Sequence, residues 1–175
     1  SVIPPYKLSD DESKKVVAVL SLSVPYTGII LSTRENPRLR DLLLGLGVSQ
    51  ISAASRTAPG GYCGSKNDNS TGQFSLNDHR SLDEIVGTLI SHDYIPSFCA
   101  ACYRKKRTGE AFMSLAKPGT IKGKCSMNAL VTLKEYLDDF ASGKVKKEGY
   151  RMIKRYFKEL DKADKEKLKV FFSHV

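Results

Sequence analysis

The stretch YTGIILSTRENPRLRDLLLGLGVSQISAA (26–54) decides the fold. The apolar, β-branched run at 26–31 and a second run at 48–54 each predict a buried strand. Between them, an Asn-Pro pair and leucines at helical spacing predict a helix over 38–46, which Gly47 ends. Strands joined through a helix are typical of a parallel sheet with right-handed crossovers.

Further helices and one more strand flank this unit. Capping boxes at Ser9–Glu12 and Ser81–Glu84 each predict the start of a helix. The run YIPSF (94–98) predicts a third strand, although Pro96 weakens the strand signal. Three parallel strands cannot by themselves form a sheet that is covered on both faces, so residues 1–98 are expected to be a piece of a (β/α) barrel.

The chain changes character after residue 98. We find no further strand pattern, and we predict helices at about 109–116, 128–140, 145–158 and 162–172. Apolar stripes on these helices are typical of helix packing rather than of a cofactor site. The stripe residues are Leu130, Leu133, Leu137, Phe140, Met152, Ile153, Tyr156, Phe157, Leu168, Phe171 and Phe172.

The positive charge lies mainly in this C-terminal part. The formal net charge is +9, and residues 1–98 carry 9 basic and 10 acidic side chains, whereas residues 99–175 carry 19 and 9. A basic patch can bind nucleic acid or an anionic membrane. No nucleic-acid fold signature accompanies the charge, so we expect a solvated helical face and no nucleic-acid partner.

The termini and the cysteine content bear on the compartment. No run approaches the roughly 18 apolar residues that span a bilayer, and the N-terminus lacks the features of a signal peptide, so we expect no membrane partner. The start at Ser1, without Met, indicates a chain processed or cut from a longer one. Four cysteines without secretory signals favour metal or redox use in a reducing compartment, and thus a cytoplasmic location, or an organellar one in a eukaryote.

The sharpest motif is a C-x2-C pair, Cys99 and Cys102, followed after twenty-two residues by Cys125. Two thiolates at this spacing can bind one metal centre, and the loop at 118–124 must fold back to bring the third. Three thiolates are one short of closing a zinc site or a 4Fe-4S cluster, which leaves an open position for a small ligand. Nearby lysines would favour an anionic cluster. These are Lys105, Lys106, Lys122 and Lys124.

Other interpretations of the cysteines remain open from the pattern alone. The pair is compatible with a redox dithiol, although such dithiols open a helix in a small α/β fold. It is also compatible with zinc, with Cys63, His79 or His92 as the fourth ligand. Finally, the thiols are compatible with buried side chains that have no function.

Polar residues follow the first two predicted strands. Ser32–Glu35 and Ser55–Thr57 lie at strand ends, which form the active-site face of (β/α) barrels. An arginine there suits a carboxylate because its planar fork binds two oxygens, and Gly60–Gly61 lets the backbone approach a ligand. The alternative for each arginine is a loop salt bridge, and His79 is expected to support a turn rather than to act as a base.

Five segments carry a resemblance to a known family. The chain closely resembles the radical-SAM tyrosine lyase of FeFe-hydrogenase maturation, and residues 1–98 are also similar to the thiamine-pathway 2-iminoacetate synthase and to biotin synthase. The C-x2-C-x22-C spacing distinguishes the maturation enzyme from these relatives. The segments are GIILSTRE (28–35), SRTAPGGY (55–62), DHRSLDEIV (78–86), YIPSFCAACYRKKRTGEAFMSLAKPGTIKGKC (94–125) and NALVTLKEYLDDFAS (128–142).

The resemblance implies a complete (β/α) barrel with a C-terminal helical extension. In the family, a radical-SAM 4Fe-4S cluster cleaves S-adenosylmethionine, and tyrosine is split into p-cresol and dehydroglycine. An auxiliary 4Fe-4S cluster with an extra iron and a free cysteine then converts dehydroglycine into carbon monoxide and cyanide, giving a precursor of the hydrogenase active site. The implied partners are tyrosine-derived small molecules and a hydrogenase-maturation scaffold protein.

Carried over by motif, Cys99, Cys102 and Cys125 would ligate the auxiliary cluster, while Cys63 lies outside the family pattern. Three further residues would lie on the side of the substrate and S-adenosylmethionine, namely Ser32, Arg34 and Arg56.

The chain also departs from the family. The C-x3-C-x2-C motif, the earlier barrel strands and the histidine that helps to hold the extra iron do not occur in it. We therefore expect the last three strand–helix units of an α/β barrel at 1–98 and an α-helical cluster-binding extension at 99–175, without S-adenosylmethionine cleavage by this chain alone. The alternative is a zinc-stabilised basic interaction module without enzymatic activity.

Overall fold

The computed structural model describes residue 6 and the ranges 8–63 and 74–172. It divides into two compact units, Ser1–Ser81 and Leu82–Val175. The first unit contains α1 (Asp10–Ser23), β1 (Ile29–Leu31), α2 (Pro37–Leu44) and β2 (Val48–Ile51). The second contains α3 (Leu82–Ser91), α4 (Ala101–Arg104), α5 (Glu110–Ala116), α6 (Lys122–Asp139), α7 (Gly143–Glu159) and α8 (Lys162–Leu168).

The first capping box is confirmed at the start of α1. The Ser9 hydroxyl accepts the amide of Glu12 at 3.3 Å, and the Glu12 carboxylate accepts the amide of Ser9 at 2.7 Å. Two of the amides that a helix N-terminus leaves without intrahelical partners are thereby satisfied. On this helix Val17 packs against the core of the first unit, whereas Val16 and Val19 are exposed.

The two strands of the first unit form the predicted parallel pair. Ile29 lies opposite Val48 and Leu31 lies opposite Ile51, with an irregularity in register directly after Ile29. Both strands are shorter than the apolar runs at 26–31 and 48–54 that predict them. An apolar run shows which residues can be buried, whereas the length of a strand depends on how many of its backbone groups pair with a neighbouring strand.

The connecting helix begins as predicted and ends two residues early. The Asn36 side chain accepts the amide of Leu39 at 2.9 Å, and α2 ends at Leu44 instead of Leu46. Gly47 has a φ of 107°, and a Cβ there would lie 2.9 Å from the Cβ of Ser21, so only glycine fits this position. The buried core of the first unit consists of Leu39, Leu43 and Val48.

The third predicted strand, at 94–98, is wrong. No strand is assigned there in the described part of the chain, and these residues belong to the second unit. Pro96 has no amide hydrogen to pair and is buried, the Phe98 amide donates to Thr132 Oγ1 at 3.2 Å, and the Phe98 ring stacks on Tyr136 at 5.1 Å. The segment is therefore held by side chains of α6 rather than by a neighbouring strand.

The second unit is helical, as predicted. Helix α6 packs against α7 and α8, and α3 packs against α7. The predicted stripe residues Leu130, Leu133 and Leu137 are buried, whereas Phe140 is 77 % exposed. Other buried members of this core are Val86, Ile90, Tyr136, Val145, Met152, Ile153, Leu168 and Phe172.

The helix boundaries of the second unit differ from the predictions in three places. Helix α6 begins at Lys122, six residues before the predicted start, and the short α4 at Ala101–Arg104 was not predicted. Helix α8 ends at Leu168 rather than at Phe172, although Phe172 is still buried. Helix starts without a side-chain cap leave little signal in a sequence, and neither α4 nor α6 has such a cap.

In the described residues, no helix is long and apolar enough to cross a membrane. The assignment of residues 1–98 to a partial barrel and of 99–175 to a cluster-binding extension stays a prediction.

Candidate metal centre

The C-x2-C pair lies at the start of α4. Cys99 precedes this helix, and its sulfur accepts the amide of Ala101 at 3.4 Å. Cys102 lies within the helix and is half-buried, whereas Cys99 is exposed. The thiolate of a cysteine is the form that binds a metal.

Cys125 lies in the first turn of α6, because the segment before it folds back on α5. The amide of Ile121 donates to the Leu115 carbonyl at 3.3 Å, and Thr120 Oγ1 donates to the same carbonyl at 3.1 Å. Gly119, with a φ of 76°, supplies the turn. The predicted fold-back loop at 118–124 is therefore a loop only to Ile121, since α6 starts at Lys122.

The three thiols lie within electrostatic reach of one another. Burial raises the pKa of the Cys125 thiol, Cys102 and Cys99 raise it further, and Arg107 opposes the rise. Thiolates at these positions would repel each other, and a bound cation would relieve that repulsion. We call Cys99, Cys102 and Cys125 the three-cysteine site.

The donor set of this site consists of three thiols. Thiolates are the ligands of 4Fe-4S clusters, in which each cysteine binds a different iron atom. Among the described residues, no group of three His, Cys, Asp or Glu side chains stands close enough together to hold a single metal ion.

Two of the predicted fourth ligands for zinc, Cys63 and His79, belong to the first unit, and both are exposed. His92 lies in the second unit and is exposed at the end of α3, where its amide donates to Thr88 and Leu89.

Of the neighbouring lysines, Lys105, Lys106 and Lys124 are exposed. The side chain of Lys122 lies outside the described part of the structure. The half-buried cation beside the thiols is Arg107, which the motif analysis did not single out.

The strand-end residues Ser32, Arg34 and Arg56 belong to the first unit. The Ser32 hydroxyl accepts the amide of Arg34 at 3.3 Å, and the Arg34 guanidinium lies 4.0 Å from the centre of the Phe74 ring. Phe74 thus supports the arginine by a cation–π contact. We call these three residues the strand-end site.

A tight turn positions Arg56. The amide of Gly61 donates to the Ala58 carbonyl at 3.0 Å, and the amide of Arg56 donates to the Tyr62 hydroxyl at 3.0 Å. A Cβ at Gly61 would lie 3.0 Å from the Cβ of Arg56, so the glycine permits this close approach of the backbone.

A buried arginine network in the first unit was not predicted from the sequence. Arg40 pairs with Asp78 and donates to the Ser52 carbonyl after β2, and Arg80 donates to both Asp78 and Asp41. Asp78 also anchors the loop after β1, since its amide donates to the Thr33 carbonyl at 3.1 Å. The only feature of the sequence that pointed to this network was Arg40, which directly follows the core residue Leu39 in α2.

More than half of the chain, including α3 of the second unit, matches a protein-family model. Residues 3–95 match the Biotin and Thiamin Synthesis associated domain. The chain belongs to this family.

Curated relatives agree with that assignment. The 2-iminoacetate synthase of Escherichia coli (strain K12) is 32 % identical over 95 residues, which cover 54 % of this chain and 25 % of that enzyme. The 2-iminoacetate synthase of Salmonella typhimurium is 30 % identical over the same length. The chain thus spans about a quarter of the curated relatives it matches.

Two solved structures are similar to this chain over nearly its whole length. A crystal structure of HydG, a maturase of the FeFe-hydrogenase, is 45 % identical with a TM-score of 0.85, over 94 % of this chain and 36 % of HydG. HydG from Carboxydothermus hydrogenoformans is 42 % identical with a TM-score of 0.70, over 95 % of this chain and 34 % of that protein. The resemblance to the hydrogenase-maturation family is confirmed.

Proposed function

We propose that the chain is the C-terminal part of a hydrogenase-maturation radical-SAM tyrosine lyase, and that it binds an auxiliary 4Fe-4S cluster. The observation that carries the proposal is the three-cysteine site, in which a C-x2-C pair at α4 is followed by Cys125 in the first turn of α6. Similarity to HydG over 94 % of the chain supports the same function.

Cys99, Cys102 and Cys125 would hold the cluster. When bound, it would supply an iron without a protein thiolate, the open position at which tyrosine-derived dehydroglycine is converted to carbon monoxide and cyanide on an iron–cysteine precursor. The chain itself contributes the amide of Ala101, which donates a hydrogen bond to the Cys99 sulfur at 3.4 Å. Helix α6 contributes Cys125 from its first turn, directly after the fold-back segment.

Anaerobic reconstitution tests the cluster. We expect about four iron and four sulfide per chain, as a 4Fe-4S cluster requires, and an electron paramagnetic resonance signal after reduction. Cys125→Ser should lose the signal, whereas the matched control Cys63→Ser should keep it, because Cys63 lies outside the C-x2-C-x22-C motif. Zinc without iron would overturn the proposal in favour of a zinc-stabilised module.

A ligand titration tests the open position. Free L-cysteine should shift the signal of the reduced cluster, because its thiolate can bind the iron that lacks a protein ligand. L-serine is the matched control and should leave the signal unchanged. If the cluster has its full iron content but its signal does not change with L-cysteine, the open position is contradicted and the cluster itself is not.

We also propose that the strand-end site binds the carboxylates of tyrosine or S-adenosylmethionine in the complete enzyme. The planar forks of Arg34 and Arg56 suit two oxygens at once, and both arginines follow the strands of a parallel pair. Ser32 would hold the loop that carries Arg34, since its hydroxyl accepts that residue's amide.

A chimaera tests the strand-end site, with this chain in place of the matching third of HydG. Arg34→Lys should raise the KM for one carboxylate substrate at least tenfold, because Lys lacks the bidentate fork. The exposed Arg38 of α2 provides the control Arg38→Lys, which should leave KM unchanged. Equal effects of the two substitutions would count against the proposal.

A further inference from the structure

The chain turns back sharply after α4 and brings Arg107 to the three-cysteine site. The amide of Lys106 donates to the Tyr103 carbonyl at 3.0 Å, and the amide of Arg107 donates to the Cys102 carbonyl at 2.8 Å. These two bonds form a Schellman motif, which requires a left-handed residue between helix and exit. Here that residue is Lys106, with a φ of 54°, where glycine is the usual choice.

The turn separates Arg107 from the other cations of the same run. Arg104, Lys105 and Lys106 are exposed, whereas Arg107 is half-buried. Its Nε atom is buried and has no hydrogen-bond partner among the described residues. Buried donors in folded proteins are nearly always paired, so an orphaned one calls for an acceptor that the described residues do not supply.

The backbone fixes Arg107 beside the C-x2-C pair, since the amide of Arg107 donates to the carbonyl of Cys102 itself. A cation with an unused donor at this place is suited to an anionic occupant that accepts hydrogen bonds.

We propose that Arg107 is a positioning residue of the auxiliary cluster, whose buried Nε–H donates a hydrogen bond to a cluster sulfur. This inference rests on the proposed function. One-electron reduction by an added reductant such as dithionite makes the cluster more negative, so a nearby cation and donor favour the reduced form. Arg107 thereby raises the reduction potential of the cluster.

The potential of the reconstituted chain tests this role by a redox titration that is followed by electron paramagnetic resonance. Arg107→Gln should reduce the equilibrium constant for reduction about tenfold, which is a potential lower by about 59 mV for one electron. Arg107→Lys keeps the charge and should recover part of the loss. The matched control Arg104→Gln removes an exposed arginine of the same turn and should leave the potential unchanged.

A second measurement on the unsubstituted chain does not depend on how a variant folds. In protein labelled with 15N-arginine, pulsed electron paramagnetic resonance of the reduced cluster should detect a 15N coupling. The coupling should persist in Arg104→Gln and disappear in Arg107→Lys. A cluster with full iron content and no 15N coupling would overturn the role of Arg107 alone, whereas failure of the unsubstituted chain to take up iron would overturn the proposed function.

Discussion

The guanidinium of Arg40 and the carboxylate of Asp78 form an ion pair in which both side chains are almost fully buried, at 1 % and 0 % exposure. The pair ties α2 to the loop before α3. Through the Asp78 amide and the Ser52 carbonyl it also ties together the ends of β1 and β2. The pair thus holds the loops on which the strand-end site is built.

Removal of the Asp78 charge should destabilise the first unit strongly. Asp78→Asn leaves Arg40 buried without its counter-charge, and loss of one partner of a buried pair costs about 3–5 kcal/mol. The control Asp41→Asn removes a partner of Arg80 that is partly exposed, and it should cost less than about 1 kcal/mol. Urea unfolding at pH 7 measures both, and equal losses would show that burial of the pair does not matter.

Acid should weaken the same network. Burial alone would raise the pKa of the Asp78 carboxyl, but hydrogen bonds from Arg80 and Arg40 outweigh it and hold that pKa below its usual value. A carboxyl whose pKa is lowered on folding stabilises above its unfolded pKa of about 3.9, and this stability is lost as the pH falls through the folded value.

The test of this pH dependence is a 13C titration of the Asp78 carboxyl, followed by urea unfolding from pH 6 to pH 3. Asp78 should titrate below the exposed carboxyls, and the free energy of unfolding should fall over the same range. An Asp78 carboxyl that titrates at or above pH 4 would contradict the prediction.

Tyr136 should make the second unit sensitive to alkali. Its hydroxyl donates to Asp83 at 3.1 Å, and burial together with that bond raises the pKa of Tyr136 to about 12. Because the folded pKa lies above the unfolded value of about 10, this stabilisation is complete below pH 10 and is lost as the pH rises toward 12.

Tyr136→Phe removes the hydroxyl and should cost about 1–2 kcal/mol at pH 7, as expected for a hydrogen bond to a charged group. The difference from the unsubstituted chain should shrink between pH 10 and pH 12. Tyr103→Phe is the control, since Tyr103 is exposed and the substitution should change little. A difference that stays constant across this pH range would refute the assignment.

Helix packing in the second unit depends on Gly149. A Cβ there would lie 2.6 Å from both terminal carbons of Leu137, which is fully buried and would have to shift within the packed core. Gly149→Ala should therefore lower the free energy of unfolding by about 1–2 kcal/mol, although alanine favours helix by about 1 kcal/mol. At Gly143 a Cβ meets nothing within 4 Å, so Gly143→Ala should stay within about 0.5 kcal/mol of the unsubstituted chain.

Much of the local structure could be predicted from local patterns. The Ser9 capping box, the Asn36 cap and the parallel strand pair all follow from residues close together in sequence. The three cysteines could be chosen as a group because their spacing itself carries chemical meaning. The prediction of a strand at 94–98 was wrong because an apolar run does not show whether a neighbouring strand is available to pair with it.

The amino-acid sequence by itself determined the capped starts of α1 and α2, the parallel strand pair and the set of thiols, because these depend on neighbouring residues and on spacing. The tertiary structure alone decided that Arg40 and Asp78 meet, and that Arg107 turns toward the thiols while Arg104 stays exposed. The Arg40–Asp78 pair joins residues that are 38 positions apart in the sequence. The position of Arg107 depends on Lys106, which has a left-handed backbone conformation just after α4. Neither long-range pairing nor backbone strain has a local pattern, since both arise only when the chain is packed.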